Sequence, residues 1–127
     1  MDNIKNILME AGLRPTRQRI ALAAYLFDGV DKHVTAEELH RVMGEGISLA
    51  TVYNSIAAFT NAGLLHTLAL DGGRIYYDTN ITEHHHIYDI TSGTLSDVPA
   101  EHISITGLPR LPKGKTLDSV DVIIRVK

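Results

Sequence analysis

The segment Ser48-Leu-Ala-Thr-Val-Tyr-Asn-Ser-Ile-Ala-Ala-Phe-Thr-Asn-Ala-Gly63 predicts the clearest helix in the chain. Ser48 can cap the first turn of that helix and Gly63 can end it. Apolar side chains recur at helical spacing and indicate which face is buried. That face is predicted to consist of Leu49, Val52, Ile56 and Phe59.

The opposite face of this helix is small and uncharged near its start. A helix that enters a DNA major groove needs such a profile, since small residues such as Ala50 and Thr51 allow close approach. Tyr53 can then pack on thymine methyl groups, and Asn54 can reach a base or a phosphate. The alternative is a helix with an ordinary solvated surface.

The segments around this helix predict a winged helix-turn-helix. Three helical patterns precede it: residues 3–11, residues 17–27, and a segment that starts at a Thr35–Glu38 capping box and ends near Gly44. Residues 64–70 and 74–77 follow it as two strands joined at Asp71-Gly72-Gly73, a hairpin whose tip places Arg74 near a phosphate backbone. The densest basic cluster lies before the second helix, where it either binds DNA or forms a solvated face: Arg14, Arg17 and Arg19.

The back half of the chain has a strand pattern. Residues 87–90, 94–98 and 117–126 are predicted strands, with a brief helical piece near residues 99–105. About 45 residues bury little surface alone, so this half is expected to pair with a second copy. The predicted fold class is α+β, with a winged-helix DNA-binding domain at residues 1–80 and a small α/β dimerisation and sensing domain at 81–127.

Three consecutive histidines lie at the junction, in the run Glu83-His-His-His-Ile-Tyr-Asp89. If this run is extended, His84 and His86 point to one side, whereas Glu83 and His85 point to the other. Two imidazoles two residues apart on a strand suit a divalent metal or a haem iron. A solvated polar loop is the alternative interpretation.

Composition narrows the class of protein. The chain has 127 residues, 44% of them hydrophobic, and no cysteine, so disulfides and cysteine-ligated structural zinc are excluded. No apolar run is long enough for a membrane span or a signal peptide, which predicts a cytoplasmic protein without a membrane partner. A formal net charge of −3 argues against indiscriminate nucleic-acid binding but permits a local basic patch.

Five ordered motifs give the chain a resemblance to the ferric uptake regulator family. They are Gly12-Leu-Arg-Pro-Thr-Arg-Gln-Arg, His33-Val-Thr-Ala-Glu-Glu-Leu, Leu49-Ala-Thr-Val-Tyr, Ala62-Gly-Leu and His84-His-His. Within that family it most resembles the iron response regulator branch, which is associated with haem as well as iron sensing. The resemblance implies a homodimer on double-stranded operator DNA. It also implies DNA contacts at Arg14, Ser48, Tyr53 and its neighbours, and Arg74.

The resemblance also implies a regulatory metal site built from His33, Asp78, His84, His86 and Asp97. Three imidazoles and two carboxylates suit Fe²⁺ or Mn²⁺, and Zn²⁺ in vitro, better than a thiophilic ion. A second metal or haem site is expected on the other face of the histidine run, from Glu83, His85, Glu101 and His102. Haem, or a protein that delivers it, is a further expected partner. Asp89 and Ser92 replace the family's cysteine pair, and the chain after Val98 is shorter than usual.

Other functions fit parts of this pattern. Histidine and carboxylate clusters also hold catalytic metals, but no helical His-Glu-x-x-His and no nucleophile motif is present, so an enzyme is not expected. A winged helix that binds only protein is opposed by the basic cluster at Arg14–Arg19. A manganese-, zinc- or peroxide-sensing regulator of the same family is the closest alternative.

Overall fold

The computed structural model describes residues 2–127. It divides into two compact units, one ending at Ile81 and the other spanning Thr82–Lys127. The division falls one residue beyond the domain boundary predicted from the sequence. Within the described residues, no helix has the length and apolar composition that crossing a bilayer requires.

The first unit contains four helices: α1 (Asp2–Glu10), α2 (Arg17–Leu26), α3 (Ala36–Met43) and α4 (Leu49–Asn61). Side-chain caps start the last three, because the first N–H groups of a helix have no partner within it. Thr16 accepts from the Arg19 N–H at 3.3 Å and Ser48 from the Thr51 N–H at 3.1 Å. Thr35 and Glu38 form the predicted capping box at the start of α3.

One hydrophobic core holds these helices together. Its fully buried members include Leu8 of α1, Leu22 of α2, Leu39 of α3 and Phe59 of α4. The prediction that Leu49 belongs to the buried face is wrong, since its side chain is 38% exposed. Leu49 is the first residue of α4, where that helix extends past the core. The buried face is Val52, Ser55, Ile56 and Phe59.

A three-stranded antiparallel sheet completes the first unit, with the strand order β1-β3-β2. The strands are β1 (His33–Val34), β2 (His66–Ala69) and β3 (Ile75–Asp78). The predicted hairpin between β2 and β3 is present, and its turn needs glycine because Gly72 and Gly73 have φ of 77° and 74°. Strand β1 was not predicted, since two residues are too few to show a periodicity.

The second unit is a three-stranded sheet with the order β5-β4-β6. Its strands are β4 (His84–Asp89), β5 (Leu95–Pro99) and β6 (Ile123–Val126). Strand β5 pairs with β4 antiparallel and β6 pairs with it parallel. Strand β4 starts at the histidine run, earlier than predicted, and the predicted helical piece is a single 3-10 turn at Ala100–His102.

The last strand is shorter than its sequence pattern indicates. Residues 117–126 alternate as a strand does, yet only Ile123–Val126 pair with β4. The preceding segment, residues 103–122, contains no helix or strand, and Leu117 is 52% exposed. Alternation alone does not make a strand, because the backbone also needs a neighbour to hydrogen-bond.

Candidate metal ligands and DNA-facing surface

Three potential metal ligands meet on one face of the sheet in the second unit. His84 and His86 alternate with His85 along β4 and therefore share a face, and Asp97 lies directly opposite His86 on β5. The Nε2 atom of His84 is 3.4 Å from Asp97 Oδ1, and the Nε2 atom of His86 is 3.5 Å from it. One ligand atom from each of these residues lies within 4.8 Å of the others, so one ion could contact all three.

The hydrogen bond of His84 determines which of its nitrogens can bind a cation. Its Nδ1 lies 2.6 Å from the backbone oxygen of Thr82. A carbonyl only accepts, so Nδ1 carries the proton and, in the neutral ring, Nε2 carries the lone pair. That lone pair faces the Asp97 carboxylate. A divalent cation between Nε2 and this carboxylate would be attracted by both atoms, and metal-binding histidines commonly donate their other N–H to a carbonyl in this way.

The first unit carries a second, smaller set of potential ligands. His33 of β1 and Asp78 of β3 are directly opposite in the antiparallel register. The Nε2 atom of His33 lies 3.3 Å from Asp78 Oδ2, and the Asp78 side chain is 2% exposed. The other carboxylate oxygen of Asp78 accepts from the Asn80 N–H at 2.8 Å, which restrains the carboxylate. A buried carboxylate beside an imidazole is a suitable partial metal site.

The residues expected to form a second metal or haem site do not gather into one ligand cluster. Among the residues that the structure describes, Glu83, His85, Glu101 and His102 form no group of three potential ligands. His85 is 1% exposed, and its Nδ1 accepts from the Val122 N–H at 3.1 Å. Glu83, Glu101 and His102 are exposed. Strand alternation correctly predicted that His85 lies on the opposite face of β4 from His84 and His86. On that face, His85 binds the backbone N–H of Val122, in the segment that leads into β6.

The predicted DNA-binding residues lie on the surface of the first unit. At the start of α4, Ser48, Ala50, Tyr53 and Asn54 are exposed and Thr51 is half-buried. Part of this surface is committed to the helix itself, since Ser48 Oγ caps α4 and lies 2.9 Å from Thr51 Oγ1. Tyr53 is 44% exposed, so its side chain is accessible to a ligand at this surface.

The basic side chains predicted to contact phosphates are also accessible. Arg14, Arg17 and Arg74 are exposed, and Arg19 is half-buried. The Arg19 guanidinium donates to the backbone oxygen of Arg14 at 3.1 Å, so it braces the turn before α2. This structural role of Arg19 was not predicted. Because the Arg19 side chain is partly engaged, Arg14 and Arg17 are the more accessible charges in this cluster.

A groove of about 280 Å³ lies beside Tyr53, between α3, α4 and the hairpin. Its wall includes Glu37 from α3 and Arg74 from the hairpin. The Tyr53 hydroxyl donates to the Glu37 carboxylate at 2.5 Å. This hydrogen bond lowers the pKa of Glu37 below its ordinary value and raises the pKa of Tyr53 above its ordinary value. Glu37 was not singled out in the sequence, because nothing in a capping motif indicates a contact sixteen residues away.

Together these features define a winged-helix protein with an exposed recognition-helix surface and with imidazole and carboxylate ligands for a metal. The sequence model of the ferric uptake regulator family matches residues 10–122. The chain belongs to this family of metal-responsive transcriptional regulators, which are not enzymes.

Individual relatives support the assignment. The chain is 34% identical over 104 residues to a ferric uptake regulation protein of Rhizobium leguminosarum bv. viciae, covering 79% of this chain and 72% of that protein. It is 32% identical over 93 residues to the peroxide-responsive repressor PerR of Staphylococcus aureus, covering 71% of this chain and 62% of the repressor. The ferric uptake regulator of Vibrio cholerae has the same fold, with a TM-score of 0.73 at 22% identity over 97% of this chain and 98% of that one.

Proposed function

We propose that this protein binds operator DNA as a homodimer in the cytoplasm and responds to iron status through a divalent metal. The observation that carries the proposal is the arrangement of His84, His86 and Asp97, with His84 Nδ1 held by the Thr82 carbonyl. The winged-helix unit supplies the surface for DNA. The relatives named above include a ferric uptake regulation protein and a peroxide-responsive repressor, which agrees with a metal-dependent regulator.

We infer that one ion is shared by the ligands of both units. Each set is incomplete alone, because His33 and Asp78 offer two donors and His84, His86 and Asp97 offer three. First-row divalent ions in oxygen and imidazole sites bind four to six donors, so pooling the two sets satisfies one ion. Fe²⁺ and Mn²⁺ suit this mixture best, and Zn²⁺ is a competitor in vitro. Manganese, zinc or peroxide sensing is the alternative that these donors permit.

Sharing one ion links ligand binding to DNA binding. Side chains of the two units that hold the same ion can no longer move independently. The spacing of the two recognition helices in a dimer is then restrained, and successive half-sites on DNA demand a fixed spacing. A metal can favour DNA binding only if it binds the DNA-binding arrangement of the protein more tightly than the other arrangement. The effect of metal on DNA affinity must therefore vanish when the metal ligands are removed.

The second unit is proposed to be the dimerisation module. Strand β6 is at the edge of its sheet, and Ile124 and Val126 are each 40% exposed. Exposed apolar residues on an open strand edge favour pairing with another strand. A second copy of the chain would cover them, and it would also compensate for the small core of a 46-residue unit.

Iron response regulation with haem is the finer proposal. Axial ligation of a haem by His84 or His86 would withdraw that side chain from the metal ligands. Fe²⁺ or Mn²⁺ is therefore expected to favour DNA binding and haem to oppose it. The second site proposed at Glu83, His85, Glu101 and His102 needs His85 to leave the Val122 N–H, so it is the weaker haem candidate.

The test uses a duplex selected by the wild-type protein from a randomised pool in the presence of Mn²⁺. We expect Mn²⁺ to tighten binding of this duplex by the wild type, and we expect no tightening for His84→Ala with His86→Ala. His85→Asn, whose amide oxygen can still accept from the Val122 N–H, is the matched control and should retain the metal response. Metal dependence that is lost equally in the His85 variant would show that the two faces of β4 are not divided as proposed.

A further inference from the structure

Glu37 lies where a DNA-binding surface should not carry negative charge. It is on the wall of the groove beside Tyr53, with Arg74 of the hairpin on the same groove. A carboxylate near phosphates weakens binding to any sequence of DNA. If the groove faces DNA, this repulsion must be offset by a favourable contribution of Glu37 to DNA binding. The contact between Glu37 and Tyr53 can make that contribution.

We propose that Glu37 is a positioning residue that holds the Tyr53 ring in place for base recognition. This proposal rests on the proposed function, because it assigns Tyr53 to the DNA surface. The Tyr53 hydroxyl donates to Glu37 Oε1, so its proton is committed within the protein and is not available to a base. Tyr53 therefore reads the shape and methyl groups of a base step rather than donating a hydrogen bond to it.

The geometry supports a Tyr53 side chain that is anchored at its hydroxyl and accessible at its ring. Tyr53 is 44% exposed, so solvent reaches much of its side chain, and the hydrogen bond of its hydroxyl to Glu37 anchors the far end of the ring to helix α3. Glu37 is in the first turn of α3, next to the Thr35–Glu38 capping box that fixes the start of that helix. A side chain ordered before binding loses less freedom on binding, an effect worth about two- to tenfold in affinity.

The charge of Glu37 repels phosphates, and its carboxylate oxygen accepts the hydrogen bond from Tyr53. Two substitutions distinguish these effects. Glu37→Gln removes the charge and keeps an oxygen that can accept from Tyr53. It should tighten binding to the selected duplex and to a shuffled duplex by similar factors, which leaves their affinity ratio unchanged. Glu37→Ala removes both charge and acceptor. It should tighten binding to the shuffled duplex and lower the ratio of affinities by about tenfold or less.

Tyr53→Phe tests the same hydrogen bond from the other side. This variant keeps the ring and loses the hydroxyl. The ratio of its affinities for the selected and shuffled duplexes should therefore fall by about the same factor as in Glu37→Ala. The double variant should then discriminate no worse than either single variant, because both remove one interaction. Glu10→Gln, which neutralises an exposed glutamate at the end of α1, is the control for charge alone.

The experiment measures binding of the full chain with Mn²⁺ to the selected and shuffled duplexes, together with the NMR signals of the Tyr53 ring without DNA. We expect the ring signals to change in Glu37→Ala and to be preserved in Glu37→Gln. An unchanged affinity ratio in Glu37→Ala, or additive losses in the double variant, would overturn the proposal. Absence of duplex binding by the wild type would instead refute the proposed function, and the ring signals would still report whether Glu37 orders Tyr53.

Discussion

Asp97 on β5 lies directly opposite His86 on β4, and its Oδ1 atom is 3.5 Å from His86 Nε2. The same oxygen is 3.4 Å from the Nε2 atom of the second histidine on this face, His84. Antiparallel register alone produces this meeting, because directly opposed residues and their diagonal neighbours share one face of a sheet. Since Asp97 lies near both imidazoles, we expect metal binding at the proposed site to depend strongly on its carboxylate.

Replacing Asp97 by Asn should weaken metal binding while leaving the strand pairing intact. The amide keeps the shape of the side chain but removes the negative charge that balances a divalent ion. We expect Mn²⁺ affinity to fall by at least about 1.4 kcal/mol, or tenfold, when measured by calorimetry on the full chain. Asp121→Asn changes the same charge at an exposed position of the same unit and should bind as the wild type does.

His85→Ala should destabilise the second unit. His85 is buried, and its Nδ1 accepts from the Val122 N–H, which the substitution leaves without that acceptor. A lost acceptor of this kind costs about 1–3 kcal/mol in the free energy of unfolding. Urea unfolding should show the loss, with partial recovery in His85→Asn, whose amide oxygen can occupy the position of Nδ1. Wild-type stability of the alanine variant would mean that the bond contributes little.

Arg14→Ala should weaken DNA binding without changing sequence preference. The guanidinium of Arg14 is exposed. The substitution keeps the backbone oxygen of residue 14, which accepts the hydrogen bond from Arg19. If Arg14 contacts one phosphate, the slope of log affinity against log salt should become shallower by about 0.9. Lys5→Ala, an exposed cation on α1, provides the comparison, and an equal change in slope there would point to net charge rather than a contact.

The Tyr53–Glu37 hydrogen bond should depend on pH at both extremes. The folded-state pKa of Glu37 is lowered, so its contribution to stability is present above the ordinary value of 4.5 and is lost as the pH falls through the lowered pKa. The folded-state pKa of Tyr53 is raised, so its contribution is present below the ordinary value of 10.0 and is lost as the pH rises through the raised pKa. NMR titration of the Tyr53 ring should show a lower midpoint in Glu37→Ala than in the wild type.

The dimer should survive removal of metal. Zero cysteines exclude a cysteine-bound structural zinc, so we expect the exposed Ile124 and Val126 on the edge of β6 to make the apolar contact of the proposed dimer. Sedimentation should therefore show dimers with and without chelator, and monomers for Ile124→Asp. The control Ser104→Asp adds the same charge at an exposed position before β6. Dissociation on chelation alone would assign the dimer contact to the metal.

The helices and the hairpin of the first unit could be predicted from short-range sequence patterns. Local signals sufficed there, since the Thr16, Thr35 and Ser48 caps and the Gly72-Gly73 turn act within a few residues of themselves. Alternation along an extended chain also places His84 and His86 on the face opposite His85. These predictions depend on period and capping, which are properties of the chain over short distances.

Contacts between residues that are far apart in the chain could not be predicted from those patterns. Strand β1 exists because His33 pairs with Asp78, and no two-residue pattern could show this. His85 became a structural acceptor because Val122, 37 residues away, lies beside it. The partner of Tyr53 is Glu37, on a different helix. Such contacts follow from register and packing, which bring together side chains that no local spacing relates.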